Sequence, residues 1–199
     1  MGDAFDEDGL RALNGSAGIG HVRYPTEGSI NACCAQPFSV SFKSGSLGLS
    51  HNGNLVNADE IRDELANLGH AFTSSGDTEV IAHDIARNLL DEDLIQAVKH
   101  TMERLNGSYS LTIMHDESVI GVRDPQGNRP LCIGRLDDGY VLASESTVID
   151  TLGGELIRDV EPGELIVLDT DGTGYDSYQL VDRSNTAHCF FEHVYFARP

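Results

Sequence analysis

Helical periodicity is confined to one central stretch of this chain, roughly residues 58–105, and short β-rich segments bounded by Gly, Asp or Pro lie on both sides of it. That grouping rules out regular strand–helix alternation and predicts an α+β layered fold built on antiparallel sheets. The first helix is expected over about Ala58 to Leu68. Asn57 and Glu60 resemble a capping box, Ile61, Leu65 and Leu68 form one apolar stripe, and Gly69 stops it. A second follows Asp77 with Ile81, Ile85 and Leu89 on one face, and a third covers about Asp93 to Leu105, ended by Asn106 and Gly107. Strands are expected at Ile19 to Tyr24, Leu47 to His51, Tyr109 to Met114, Val119 to Val122, Leu131 to Gly134, Tyr140 to Ala143 and Glu164 to Leu168. Hairpins turn through His115-Asp116-Glu117 and Asp137-Asp138-Gly139. No repeat or composition break divides the 199 residues, so one domain is the simplest description.

Charge narrows the partners. Asp and Glu number 32 against 13 Lys and Arg, a formal net charge of −19, and the acids are spread along the whole chain. Such a field repels nucleic acid and anionic membranes, and it reads as the solvated surface of a halophile's protein, where concentrated salt screens self-repulsion. No run of about 18 apolar residues exists and the first residues are acidic, so neither a membrane span nor a signal peptide is expected and the protein is read as cytoplasmic. Cys33, Cys34, Cys132 and Cys189 show no CxxC pairing; they are read as small apolar residues and not as a disulfide framework or zinc site. His70, His83, His100, His115, His188 and His193 are scattered without metal-site spacing.

Four stretches combine polar residues and glycines more densely than structure alone needs: 20–26 (Gly-His-Val-Arg-Tyr-Pro-Thr), 50–54 (Ser-His-Asn-Gly-Asn), 74–79 (Ser-Ser-Gly-Asp-Thr-Glu) and 123–130 (Arg-Asp-Pro-Gln-Gly-Asn-Arg-Pro). Each adjoins a predicted strand or helix, where loops on a rigid scaffold carry function. Each also has a plain reading. His51 to Asn54 could be a turn, Asp77 a helix cap, and Asp124 to Gly127 a type I turn.

In this order and wording the four stretches resemble a class II glutamine amidotransferase domain, an N-terminal-nucleophile hydrolase, and within that superfamily the amidophosphoribosyltransferase family. Tyr24, where relatives that make glucosamine phosphate have Trp, points to that family. So do Leu142 to Ser146, Arg158 to Glu164 and the ending Phe191 to Pro199. The resemblance implies a four-layer αββα sandwich of two mainly antiparallel sheets, and glutamine as substrate. Arg23 would clamp the α-carboxylate with its planar fork, Asp77 would take the α-ammonium, and Thr26 would help orient the substrate. The Asn52 side-chain amide and the Gly53 backbone N–H would form the oxyanion hole.

The family's nucleophile is a cysteine at the mature N-terminus whose own α-amino group is the general base. This chain begins Met1-Gly2-Asp3 and offers no such residue, and neither Cys33 nor Cys34 is read as a substitute. The expectation is therefore a domain truncated at its N-terminus, with its N-terminal strand missing, and inactive alone. The C-terminal phosphoribosyltransferase domain, which would use the ammonia to make phosphoribosylamine, would lie beyond Pro199. No cofactor is expected in this chain. The family implies magnesium at the absent domain, homo-oligomers at full length, and in some members an iron–sulfur cluster with one ligand near Cys189. Other members keep a cysteine there without a cluster. Two alternatives stay open: a non-catalytic glutamine-binding module, and a glutaminase domain serving a different acceptor such as a sugar phosphate.

Overall fold

The computed structural model describes residues 9, 12, 13, 15–22, 34–169, 171–182 and 187. Among these the elements run β1 (Phe38–Phe42), β2 (Gly45–Leu55), α1 (Ala58–Asn67), α2 (Asp77–Asn88), α3 (Leu94–Arg104), β3 (Gly107–His115), β4 (Ser118–Arg123), β5 (Cys132–Leu136), β6 (Gly139–Ala143), α4 (Ser146–Thr151), β7 (Glu155–Asp159), β8 (Glu164–Leu168) and β9 (Tyr175–Gln179). They form one six-stranded sheet ordered β1-β2-β3-β4-β8-β9 and one three-stranded sheet ordered β6-β5-β7. Every strand pairing among the described residues is antiparallel.

Period-two alternation sorts the large sheet into two buried faces. Leu47 and Leu49 of β2, Leu111 and Ile113 of β3, Ile120 and Val122 of β4 and Leu165 of β8 share one core with Ile81 and Ile85 of α2 and Val98 and Met102 of α3. On the opposite face Val119 of β4 and Ile166 and Leu168 of β8 meet Leu131, just before β5, and Ile133 and Leu142 of the small sheet. Beyond the small sheet, Ile149 of α4 packs on Cys132 and Ala143. The order of layers is helices, sheet, sheet, helix, which is the αββα sandwich. Gly121 lets the sheets approach this closely: a Cβ there would lie 2.8 Å from a Leu142 methyl.

The three expected helices form, each within a residue or two of its expected ends. Asp93 caps α3 by accepting from the Gln96 N–H, 3.0 Å away. Two local expectations fail. Asn57 makes no side-chain cap; its amide instead donates to the Arg104 carbonyl (3.0 Å) and accepts from the Asn106 N–H (2.9 Å). It ties the start of α1 to the α3–β3 corner, a long-range role that outcompetes a local box. Leu68 is 61% exposed, because the helix has already ended and its side chain leaves the stripe that buries Ile61 and Leu65.

Both predicted hairpins close, His115 opposite Ser118 and Leu136 opposite Gly139. Four elements lack an expectation. They are β1, whose Phe-Ser-Val-Ser-Phe alternation is a readable strand pattern, and β7, β9 and α4, which are short and mostly exposed. Of the strand expected over 19–24, residues 19–22 form none and 23–24 lie outside the described residues. Among the described residues no helix is long and apolar enough to cross a membrane.

Candidate active site

β2 outruns its neighbour. β1 pairs with it only as far as Phe38 opposite Leu49, whereas β3 accompanies it to Leu55 opposite Gly107. From Ser50 onward, therefore, β2 has one bonded edge and, among the described residues, one open edge. The residues read as a possible turn, His51 to Asn54, lie inside this strand; tertiary pairing with β3 overrides their turn propensity.

Backbone groups alternate along a strand, so the N–H groups of residues 51, 53 and 55 all face the open edge. Side chains close two of these positions. Gln36 Oε1 accepts from His51 N at 2.7 Å, and Asp77 Oδ2 accepts from Leu55 N at 3.1 Å. Between them the Gly53 N–H faces the edge. Gly53 has φ 156°, and a Cβ there would run into the Ser108 carbonyl and come within 2.8 Å of His51 Nε2. Only glycine fits here against β3.

Side chains alternate too. Ser50 and Asn52 point to the small-sheet side, where a cleft of about 1110 Å³ lies between the sheets and the 74–79 loop. Asn52 Nδ2 is 3.4 Å from Ser144 Oγ, which follows β6. His51 points the other way, is buried, and sets Nδ1 3.4 Å from Asp77 Oδ1. Asp77 is the first residue of α2 and not its cap, which is Gly76. Burial works to raise the Asp77 pKa, but hydrogen bonding and charge from His51 and the N–H groups of Leu55 and Thr78 outweigh it and hold the carboxyl below its ordinary range. An anionic group thus stands at a helix N-terminus on the cleft wall, suited to an ammonium.

Asp77 keeps its place because the loop before it is tied down. Glu79 accepts from the backbone N–H and the hydroxyl of both Thr73 and Ser74, at 2.6 to 3.0 Å. Arg62 donates to the carbonyls of Ser74 and Gly76. Burial works against the Glu79 charge, yet these donors hold its pKa low. Behind it, His83 Nδ1 lies 3.2 Å from His70 Nδ1, so two histidines expected to be scattered are in contact. Burial, then the His70 charge, lowers the His83 pKa.

The fourth stretch behaves differently. Asp124 is fully buried and accepts from the N–H groups of Tyr109, Gln126, Asn128 and Arg129 at 2.9 to 3.4 Å. Arg123 donates to the carbonyls of Arg129, Val160 and Gly127. The expected turn forms, with Gly127 N donating to Asp124 O at 2.9 Å, and of this stretch only Arg129 lines the cleft. Likewise Arg158 and buried Glu164 pair with each other, at 2.7 and 2.8 Å.

Arg23, Thr26, Tyr24, Cys33 and Cys189 lie outside the described residues. Cys34 lines the cleft, a position the apolar reading of the cysteines did not anticipate. Cys132 fits that reading: burial, helped by Asp159, pushes its thiol up to about 11. Among the described residues no three His, Cys, Asp or Glu converge as a metal site.

A family model described as a glutamine amidotransferase domain matches residues 29–151, more than half of the chain. The chain belongs to the glutamine amidotransferase domain family. It is 46% identical over 198 residues, 99% of its length, to the amidophosphoribosyltransferase of Archaeoglobus fulgidus, and 45% identical to that of Methanocaldococcus jannaschii, again over 99%. It spans 43% and 45% of those two proteins, less than half of each. Among solved structures it superposes on the glutamine phosphoribosylpyrophosphate amidotransferase of Bacillus subtilis, complexed there with ADP and GMP, with TM-score 0.81 and 39% identity. That match covers 90% of this chain and 38% of the other. The resemblance read from the motifs and the layered fold it implied both hold for this amidotransferase domain. Asn52, Gly53 and Asp77, three of the residues to which that resemblance assigns roles, line one cleft.

Proposed function

We propose that this chain is the glutamine-hydrolysing domain of an amidophosphoribosyltransferase, and that it supplies ammonia to a phosphoribosyltransferase domain elsewhere in a longer protein. The observation that carries the reading is Gly53, at the open edge of β2, lining one cleft with Asn52 and Asp77. Glutamine would lie with its α-ammonium on Asp77 and its α-carboxylate on Arg23, Thr26 helping to orient it, and its side-chain carbonyl oxygen at Asn52 and Gly53. A cysteine thiolate at the family's mature N-terminus would attack the amide carbon. The C–N bond breaks, ammonia leaves with the proton taken up by the α-amino group, and water then cleaves the thioester to glutamate. Preset donors at the oxyanion contribute about 3 kcal/mol each to such a step.

The acceptor would be phosphoribosyl pyrophosphate, whose pyrophosphate is displaced to give phosphoribosylamine. In this reading magnesium and oligomer contacts belong to the second domain, and any iron–sulfur cluster uses Cys189 with ligands outside this chain. The net charge of −19 supports work in a salt-rich cytoplasm. Ammonia release in molar KCl tests the reading on two proteins, this chain and the chain extended by its upstream coding sequence to a mature N-terminal cysteine. Hydrolysis in the extended protein alone is expected. Absence of both hydrolysis and glutamine binding in that protein would overturn it. Unfolding midpoints in dilute buffer and in molar KCl test the salt reading, which equal stability in both would overturn.

A further inference from the structure

Asn52 and Ser144 are far apart in sequence and belong to different sheets, Asn52 to β2 of the large one and Ser144 to the residue after β6 of the small one. Their side chains nevertheless meet in the cleft at 3.4 Å, with the Asn52 amide donating to the Ser144 hydroxyl oxygen. The neighbouring polar groups on that face are otherwise engaged or buried. Ser110 Oγ donates to the Arg129 carbonyl, and Ser50 Oγ is buried with no hydrogen-bond partner among the described residues.

An asparagine side chain does not orient itself. Its terminal torsion is broad and roughly two-fold, so amide nitrogen and oxygen exchange places at little cost. At an oxyanion site the two orientations are opposite in effect: the NH2 group stabilises developing negative charge, and the carbonyl oxygen repels it. A hydroxyl can accept from the amide NH2 or donate to the amide oxygen; here Ser144 Oγ accepts from Asn52 Nδ2, and that bond fixes which way the amide lies. It leaves the second hydrogen directed into the cleft.

We propose that Ser144 is a positioning residue for glutamine hydrolysis, and that its hydroxyl, presented by the small sheet, holds the Asn52 amide with NH2 toward the reacting carbonyl oxygen. The inference rests on the reading of Asn52 as an oxyanion donor. It adds that the site is completed across the gap between the sheets. Ser144 touches no reacting atom; it acts through Asn52. Since the ground-state carbonyl needs the donor less than the tetrahedral anion does, the effect falls on turnover and not on binding.

The test uses the protein extended to its N-terminal cysteine. Ser144→Ala is expected to lower kcat for glutamine hydrolysis on the order of tenfold, less than outright loss of a donor, while KM changes less than about twofold. Ser144→Thr, which restores a hydroxyl at the half-buried position, is expected to recover most of the rate. An unchanged kcat in Ser144→Ala, a parallel rise in KM, or a Thr variant no better than Ala would overturn the proposal. Absence of hydrolysis in the unsubstituted protein would count against the glutaminase reading instead. The contact is then decided on this chain by the side-chain NH2 resonances of Asn52. One amide hydrogen protected from exchange, its protection lost in Ser144→Ala, supports the proposal, and identical resonances and exchange in both proteins overturn it.

Discussion

The strand segment 50–54 and the loop 123–130 use nearly the same materials, and the structure turns them to opposite ends. In the loop, the adjacent charges Arg123 and Asp124 are spent on backbone: Asp124 gathers four backbone N–H groups and Arg123 three carbonyls. In the strand, β1 stops short and leaves an edge with Gly53 N–H between two closed positions. A density of polar residues and glycine marks places where the backbone does something unusual. Hydrogen-bond accounting decides whether that unusual thing is architecture or a site.

The contrast is broken most directly at Asp124. Asp124→Ala would leave four N–H groups without their buried acceptor, and chemical denaturation should show a loss of about 4 kcal/mol. Glutamine affinity of the protein that remains folded should change less than about threefold. A collapse of affinity at unchanged stability would reverse the assignment of the two regions. Asp77→Asn should do the opposite. It removes the charge that would face an ammonium, and calorimetry should find glutamine binding weaker by about 3 kcal/mol, with less than about 1 kcal/mol lost from stability.

A smaller effect belongs to Asn57. Asn57→Ala removes a donor and an acceptor that bridge α1 to the α3–β3 corner, so unfolding free energy should fall by about 1 to 2 kcal/mol, and glutamine affinity should stay the same. A cap in the ordinary sense would be rescued by Asn57→Ser, whereas the bridge would not.

The smallest effect is the pH response of His83 behind the 74–79 loop. Its pKa in the folded protein is below the ordinary 6.5, so between that lowered value and 6.5 the unfolded chain binds more protons. Stability therefore rises with pH across this window and levels off above it. Denaturant midpoints taken from pH 5 to 7.5 should show the rise in the natural protein and a flatter profile in His83→Phe. Asp77, Glu79 and Glu164 act in a lower window, since each is held below its ordinary range. Their contributions are present above about pH 4.5 and are lost as pH falls through the lowered values.

Much of this was legible before any coordinates. The helical stripes of Ile61 with Leu65 and of Ile81 with Ile85 are local facts of spacing, and so were the hairpin turns. Asp77 and Gly53 were legible as site residues only through their resemblance to a family, because alone they read as a cap and a turn. Three things were out of reach. The open edge of β2 depends on where β1 ends, and pairing register is not local. The bridging role of Asn57 depends on Arg104 and Asn106, more than forty positions away. Ser144 sits in a stretch that carried family likeness with no role, and its meeting with Asn52 requires both sheets to be stacked.

That stacking gives Gly121 a reach beyond its own position. The missing side chain lets Leu142 settle onto the large sheet, and two residues further along the same chain is Ser144. The separation of the cleft's two walls is thus set by how deeply a leucine seats in a glycine-sized hollow of the core. The width of the cleft is in effect a gauge of the core's interior spacing, read out at the surface.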